Sequence, residues 1–389
     1  MSSKNSINNI AFIDSYHKGL YGAPRSMLDL ASGLRNKNYN IDIITTKNDL
    51  LAKSAIDRKL KVKIFNVPKV LLVSRRSLNF WHKLIYFILL MYTWLKSITS
   101  YSLKKYDVIC INDIRTFLLF LPILILNKKK IIWYVRINDR VKIITKIATL
   151  LSNKIILISK DCKLLFKDKE LHTYNNKIRI LHTGFKIPTL EEYSIKIIKK
   201  RHQDNDKIFI SVGSICQRKN QKSLVQCFKN IKITNKHLYI LGSPATEADD
   251  IYYNELLNLI EHLELTRRIT IIPHTHLVFE YLSFSDIFLL ASYKEGLPRV
   301  AIEALIAGCY VVSSNVDGIS DIITNEKIGL VTNEKASEKN FNTAYTELIN
   351  DACLRNNDRN YSLTYAKKNF SYDLFIEKFI EILSEHEKN

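Results

Sequence analysis

Two glutamates, Glu295 and Glu303, stand eight positions apart in the stretch YKEGLPRVAIEALIAG, residues 293–308. Ionised carboxylates accept hydrogen bonds in pairs and donate none. Between them lie Gly296, which permits unusual backbone angles, and Pro298, which suits the first turn of a helix because no N–H is needed there. The run RVAIEALIAG is rich in helix formers and closes at Gly308, a favoured residue just past a helix end. This spacing predicts Glu295 in the loop at a helix mouth and Glu303 more than a turn inside. Upstream, DIFLLAS (286–292) is almost wholly apolar and reads as a buried parallel strand. Strand–loop–helix units of α/β proteins bind ligands at the loop end, and a helix N-terminus attracts anions. A single glutamate in such a place would ordinarily be read as a carboxylate complementing the helix dipole, or as a solvated helix residue.

A second group follows the strand-like run KIFISVG (207–213): Gly213, then Arg218 and Lys219 within QRKNQK. It falls at the same ligand edge of a sheet, although charge runs of this kind are usually solvated. Gly22 lies in a loop after the first strand. A glycine there is either an ordinary turn residue or one that lets the backbone approach a phosphate. Arg25 stands near it, and Arg136 ends the run KIIWYVR (130–136). His274 and His276 form an H-x-H pair. Alternating strand residues can bind a metal, but no third ligand accompanies them, and no metal site is expected.

These residues need elements to hold them. A chain of 389 residues, 47% hydrophobic and 25% charged, is globular in composition and too long for one ordinary core. Short β-branched runs occur at 9–14, 40–46, 61–67, 107–112, 130–136, 154–159 and 177–182, then at 207–213, 236–242, 268–273, 286–292, 310–315 and 328–332. Helix-length segments separate them, which indicates parallel sheets. The expected fold class is α/β, with two doubly wound, Rossmann-like domains facing across a cleft. Residues 1–187 form the first domain, the charged interval 188–206 a linker, 207–370 the second domain and 371–389 a terminal helix. The six cysteines are scattered, form no C-x-x-C pair and mostly sit in apolar runs, as buried thiols of a reducing compartment would. The opening MSSKNSINN is polar and leads straight into a strand, so no signal peptide is expected.

With the motifs placed in order, the chain resembles the family-4-type retaining glycosyltransferases of the GT-B fold, over nearly its full length and most strongly over 207–332. The likeness is carried in the second half by SVGSICQRKNQKSL, by Asp286 opening SDIFLLAS, by EGLPRVAIEALIAG and by YVVSSNVDGISDII. In the first half it is carried by GLYGAPRSMLDLASGL (19–34) and by KIRILHTGFKIP (177–188), which closes that domain. FSYDLFIEKFIEIL (370–383) resembles the terminal helix that crosses back to the first domain. Ser214 stands where the family often has arginine, Tyr310 where it often has proline, and Arg136 where many members carry histidine.

The resemblance implies a nucleotide-diphospho-sugar donor, with Lys219 and Arg218 neutralising the diphosphate as charge builds on the leaving phosphate. It implies that Glu295 holds the donor sugar and Glu303 the nucleotide ribose, with donor contacts from Gly296, Leu297, Gly213 and Gly22. Glu295, Lys219 and Arg218 are then the catalytic candidates, and Arg136, Arg25 and His17 the acceptor candidates. The implied acceptor is a glycan or a lipid-linked one; no metal or other cofactor is implied. Retention through a covalent Glu295 intermediate and a same-face attack assisted by the leaving phosphate both stay open. Two further readings keep the fold: another sugar-nucleotide enzyme such as an epimerase, or a non-catalytic sugar-nucleotide or membrane-binding protein. The intact Glu295/Glu303 pair argues against the second. A glycan phosphorylase would need a pyridoxal lysine and a longer chain.

The charge is lopsided. Residues 1–187 hold 34 Lys and Arg against 11 Asp and Glu, a net +23, whereas residues 188–389 are at −3. A basic half suits an acidic partner. Nucleic acid is not expected, because no recognition motif of that class is present. Two apolar segments lie in this half, LIYFILLMYTWL (84–95) and TFLLFLPILILN (116–127), both short of the ~20 residues a spanning helix needs. The second reads as a core helix. The first has Trp81 and Trp94 near its ends and SRRS (74–77) before it, and aromatic-plus-basic helices lie in membrane interfaces. The expectation is peripheral docking on the anionic, cytoplasmic face of a membrane, in keeping with bacterial surface-polysaccharide synthesis.

Overall fold

The computed structural model describes residues 7–15, 22–72, 79–100, 102–127, 129–138, 140–200, 202–203 and 205–385. His17 and the SRRS segment lie outside the described residues. The chain divides into two compact units, Met1–Gly184 with Asp373–Asn389, and Phe185–Tyr372.

The first unit is built on a seven-stranded parallel sheet: β1 (Asn9–Asp14), β2 (Asn40–Thr45), β3 (Lys61–Ile64), β4 (Val108–Ile111), β5 (Lys130–Val135), β6 (Lys154–Leu157) and β7 (Ile178–Ile180), in the order β3-β2-β1-β4-β5-β6-β7. The second has six: β8 (Lys207–Val212), β9 (Lys236–Leu241), β10 (Ile269–Ile272), β11 (Ile287–Leu290), β12 (Tyr310–Ser313) and β13 (Gly329–Val331), in the order β10-β9-β8-β11-β12-β13. Each strand falls inside one of the thirteen β-branched runs. Helices cover both faces of such sheets, so strand residues of either parity are buried. Ile10, Ala11, Phe12 and Ile13 on consecutive positions are all fully buried.

One device sets the register in both units. Asp107 precedes β4, and its Oδ2 accepts from the backbone N–H of Asn9 at the start of β1, at 2.9 Å. Asp286 precedes β11, and its Oδ2 accepts from the N–H of Ile208 in β8, at 2.8 Å. Each carboxylate thereby ties together the two neighbours at which the strand order reverses. Burial pushes the Asp107 carboxyl up, but the N–H groups of Asn9 and Asn8 outweigh it and hold it below its usual range.

The interval 188–206 carries the helix Glu192–Lys199, which packs on the helix Val278–Phe284, and Ile198 is buried. The Glu191 N–H also donates to the Glu280 carboxylate at 3.2 Å. This segment is therefore part of the second unit. The helix Tyr372–Ser384 returns to the first unit, burying Phe375, Phe379 and Leu383, with the Phe379 ring 6.2 Å from that of Phe12.

Glu385 fastens the end of that helix. Its carboxylate pairs with the buried Lys154 amine at 2.6 Å and with the Arg179 guanidinium at 2.6 Å. Arg179 and then Lys154 hold the Glu385 carboxyl down at about 2. A carboxyl depressed on folding stabilises the fold above its unfolded value, near 4.5, and the gain is lost as pH falls towards 2. Glu385→Gln is expected to cost about 1 kcal/mol at neutral pH, because the Lys154 amine stays buried without its counter-charge. Urea melts of both proteins should converge between pH 4 and 2. A gap that persists undiminished at pH 2 rules this ion pair out as its source.

Four thiols, Cys110, Cys162, Cys227 and Cys309, are buried, while Cys216 and Cys353 are half-buried. Burial pushes Cys110 and Cys309 up to about 12, and Cys227 and Cys353 to about 11.

Candidate functional site

In the second sheet the chain winds outward through β9 and β10 on one side of β8, and through β12 and β13 on the far side of β11. The order reverses between β8 and β11, and loops leaving a reversal point part to opposite sides and open a ligand crevice. The loop after β8 ends in a short 3-10 turn, Gln217–Lys219, and the loop after β11 carries Tyr293 to Pro298. A main-chain bond stitches the two, the Tyr293 N–H donating to the Arg218 carbonyl at 2.8 Å.

That stitch brings together side chains about 76 residues apart in sequence. Lys219 Nζ lies 2.8 Å from Glu295 Oε1, and Arg218 Nη1 lies 3.1 Å from the same oxygen. Arg218 Nη1 also donates to the Lys294 carbonyl at 3.0 Å. The Lys219 and Glu295 side chains are 13% and 12% exposed, against 47% for Arg218, so the lysine pair is shielded and the arginine faces water. Burial pushes the Glu295 carboxyl up, yet Lys219 and Arg218 outweigh it and hold it below its usual range. Glu295 is thus an ionised acceptor at neutral pH.

Glycines shape the surroundings. Gly213, at φ +153°, lies against the lysine: a Cβ there would stand 3.0 Å from Lys219 Cε and 3.3 Å from Nζ. On the other side, the loop after β12 presses Gly318 on the site, where a Cβ would meet the Gly296 carbonyl oxygen at 2.6 Å and Leu297 Cα at 3.0 Å. Gly296, Leu297 and Pro298 are buried, and the helix Arg299–Ile306 follows. Glu303 is half-buried on that helix, a turn beyond its start, as the spacing predicted. Arg299, at the helix start, places its guanidinium 4.6 Å from the Phe185 ring. His274 and His276 lie in the loop after β10, not on a strand, and among the described residues no cluster of three His, Cys, Asp or Glu is placed to hold a metal.

The first sheet reverses between β1 and β4, and there the structure sets Arg136 among polar residues, Asp14 and Asn112, that the sequence alone does not single out. Asp14 ends β1, Asn112 follows β4 and Arg136 follows β5. Asn112 Nδ2 donates to Asp14 Oδ2 at 2.6 Å, and Arg136 Nε donates to Asn112 Oδ1 at 2.7 Å. Arg136 Nη1 reaches Ser26 Oγ at 2.9 Å, and Ser26 and Thr183 share a hydrogen bond of 2.9 Å. The guanidinium carbon lies 3.4 Å from the centre of the Tyr134 ring. Arg136 is therefore a buried network member, 9% exposed, and not a surface arginine. The available signal was a polar residue ending each apolar run, Asp in NIAFID and Asn in DVICIN. Gly22 is the first residue of the helix Gly22–Asn36 and not a loop residue, and Arg25 is exposed on that helix.

Two parallel sheets wound in this way define the GT-B architecture. Known structures agree: a crystal structure of Anabaena Alr3699/HepE in complex with UDP and glucose superposes with a TM-score of 0.75 at 15% identity, covering 97% of this chain and 99% of that one. Residues 194–368, a little under half of the chain, match the model of the glycosyl transferases group 1 family. Among curated relatives, a Campylobacter jejuni N-acetylgalactosamine-N,N'-diacetylbacillosaminyl-diphospho-undecaprenol 4-alpha-N-acetylgalactosaminyltransferase is 26% identical over 209 residues, 54% of this chain and 50% of that protein. The Staphylococcus aureus capsular polysaccharide biosynthesis glycosyltransferase CapH is 27% identical over 186 residues, 47% of this chain and 48% of that protein. The chain spans about half the length of the curated relatives it matches.

Proposed function

We propose that this protein is a retaining hexosyltransferase, moving a sugar from a nucleotide-diphospho-sugar to a glycan or lipid-linked acceptor in bacterial surface-polysaccharide synthesis. The observation that carries the proposal is the shielded Lys219–Glu295 pair with Arg218 at the reversal point of the second sheet. Two cations beside one ionised carboxylate suit a ligand that is anionic at one end and hydroxylated at the other. In this reading Lys219 and Arg218 meet the diphosphate, where negative charge grows as the sugar bond breaks. Glu295 accepts hydrogen bonds from the sugar hydroxyls, Glu303 from the ribose, and the N–H groups of Gly296 and Leu297 add to the grip. The positive charge comes from the chain itself, so the step calls for no metal. Attack on the sugar from the face that the phosphate leaves, or a covalent Glu295 intermediate, both give retention.

The relatives support the acceptor class, one being named for an undecaprenol diphosphate and another for capsular polysaccharide. The basic first half supports a place at the inner face of the cytoplasmic membrane, as a peripheral protein. The test is a panel of nucleoside-diphospho-sugars with a polyprenyl-diphosphate-linked sugar as acceptor, with product anomers read by NMR. The expected outcome is transfer from one donor with its anomeric configuration kept. Inversion in the product overturns the retaining assignment. Failure of every donor to transfer, hydrolyse or stabilise the protein overturns the enzyme reading.

A further inference from the structure

The helix Phe80–Ser100 is built inside out. Its inward stripe is Tyr86, Leu90, Thr93 and Ser97, all buried, and three of these four carry a hydroxyl. Thr93 Oγ1 donates to the Leu89 carbonyl at 2.8 Å and Ser97 Oγ to the Trp94 carbonyl at 2.7 Å, so neither hydroxyl needs water. The opposite stripe, Trp81, Ile85, Ile88, Tyr92 and Leu95, recurs at spacings of four and three and is exposed, with Trp81 at 69%, Ile88 at 58% and Leu95 at 63%. A helix of a water-soluble fold shows the reverse pattern, and a contiguous apolar face of this size marks an interaction surface.

The surroundings select the partner. Residues 58–106 contain 11 Lys and Arg and no Asp or Glu. Lys83, Lys104 and Lys105 are exposed in and after this helix. A surface both oily and anionic fits that combination, as a lipid headgroup layer over acyl chains does. A second copy of the chain would set the same positive run against itself. The helix is about 31 Å long, yet among the described residues no helix is long and apolar enough to cross a membrane. Its inward stripe packs on the first unit, including the helices Ile114–Leu119 and Leu121–Leu126, so only one side is open to lipid.

We infer that the outward face of helix Phe80–Ser100 inserts into one leaflet of an anionic bilayer, lying parallel to its plane, so that attachment is apolar insertion guided by basic residues. This deepens the membrane placement proposed above and does not depend on the sugar chemistry. Vesicle flotation, without donor or acceptor, therefore fails or succeeds separately from the transfer assay. The wild type is expected to float with phosphatidylglycerol–phosphatidylcholine vesicles and to keep most of its binding in high salt. Ile88→Asp with Met91→Asp, Met91 lying 46% exposed at the edge of this stripe, should lower partitioning about tenfold or more while the thermal melt is unchanged. If that variant misfolds, quenching of Trp81 by brominated lipid in the wild type, lost in Trp81→Phe, supports the same conclusion. Several results overturn it: no flotation, binding abolished by salt, equal binding to phosphatidylcholine alone, no Trp81-dependent quenching, or a wild-type dimer that the double variant turns into a monomer.

Discussion

Lys219→Ala and Glu295→Ala are each expected to lower sugar transfer by about 10²-fold or more, the scale of losing one preorganised electrostatic contact to a transition state. The two changes should differ in stability. Lys219→Ala leaves a buried carboxylate with the half-exposed Arg218 as its neighbouring cation, and stripping one partner from a buried pair is costly. Glu295→Ala leaves an amine that gains water more easily on its flexible stem. We expect a loss of about 2 kcal/mol for Lys219→Ala, less for Glu295→Ala, and a double variant more stable than Lys219→Ala alone. Initial rates and urea melts on all four proteins check this. Near wild-type turnover in either single variant would remove that residue from the catalytic set.

The largest effect on folding should come from a glycine outside the catalytic group. Gly242 follows β9 at φ +154°, and a Cβ on it would stand 1.9 Å from the Gly213 carbonyl oxygen and 2.9 Å from its carbon. Both atoms are backbone, and neither can swing aside as a side chain would. Gly242→Ala is therefore expected to destabilise the second unit by about 3 kcal/mol or more, through clash and through a φ that L-residues avoid. Gly213→Ala has the same backbone angle, but its Cβ meets only the end of the Lys219 side chain. It should cost less stability and act chiefly on turnover, by displacing the lysine. Chemical denaturation ranks the two, and a Gly242→Ala melt within about 0.5 kcal/mol of wild type contradicts the steric account.

The strands were legible because each is a short Ile/Val-rich run bounded by polar turns, and burial on both faces leaves little else for such a run to be. Glu295 in a loop and Glu303 a turn into the helix were legible because Gly-Leu-Pro punctuates that segment. Strand order, which puts β8 beside β11 and so Lys219 beside Glu295, depends on contacts far apart in sequence and was not legible; the family resemblance implied only that the two residues share one donor. The close approach of Gly242 to Gly213 was not legible, since a glycine ending an apolar run looks the same whether it turns or merely fits. The partners of Arg136 were not legible for a related reason: nothing local to an arginine after a strand shows that Asn112 and Ser26 will meet it. Trp94 was read as a membrane-facing aromatic, but its indole donates inward to the Leu118 carbonyl at 2.8 Å. Composition marks a segment as apolar; it does not say which side turns out.

The grading of the six thiols by burial has a practical consequence. A maleimide reacts with thiolate, so thiols that are buried and pushed to 11 or 12 react slowly near neutral pH. Cys216 is half-buried and stands three residues before Lys219, at the foot of the 3-10 turn that carries both candidate cations. A fluorophore placed there by simple chemical labelling, with Cys353 changed to serine to silence the other half-exposed thiol, becomes an optical reporter on the loop that grips the donor. Donor occupancy then becomes a spectroscopic titration in a chain whose remaining cysteines need not be touched.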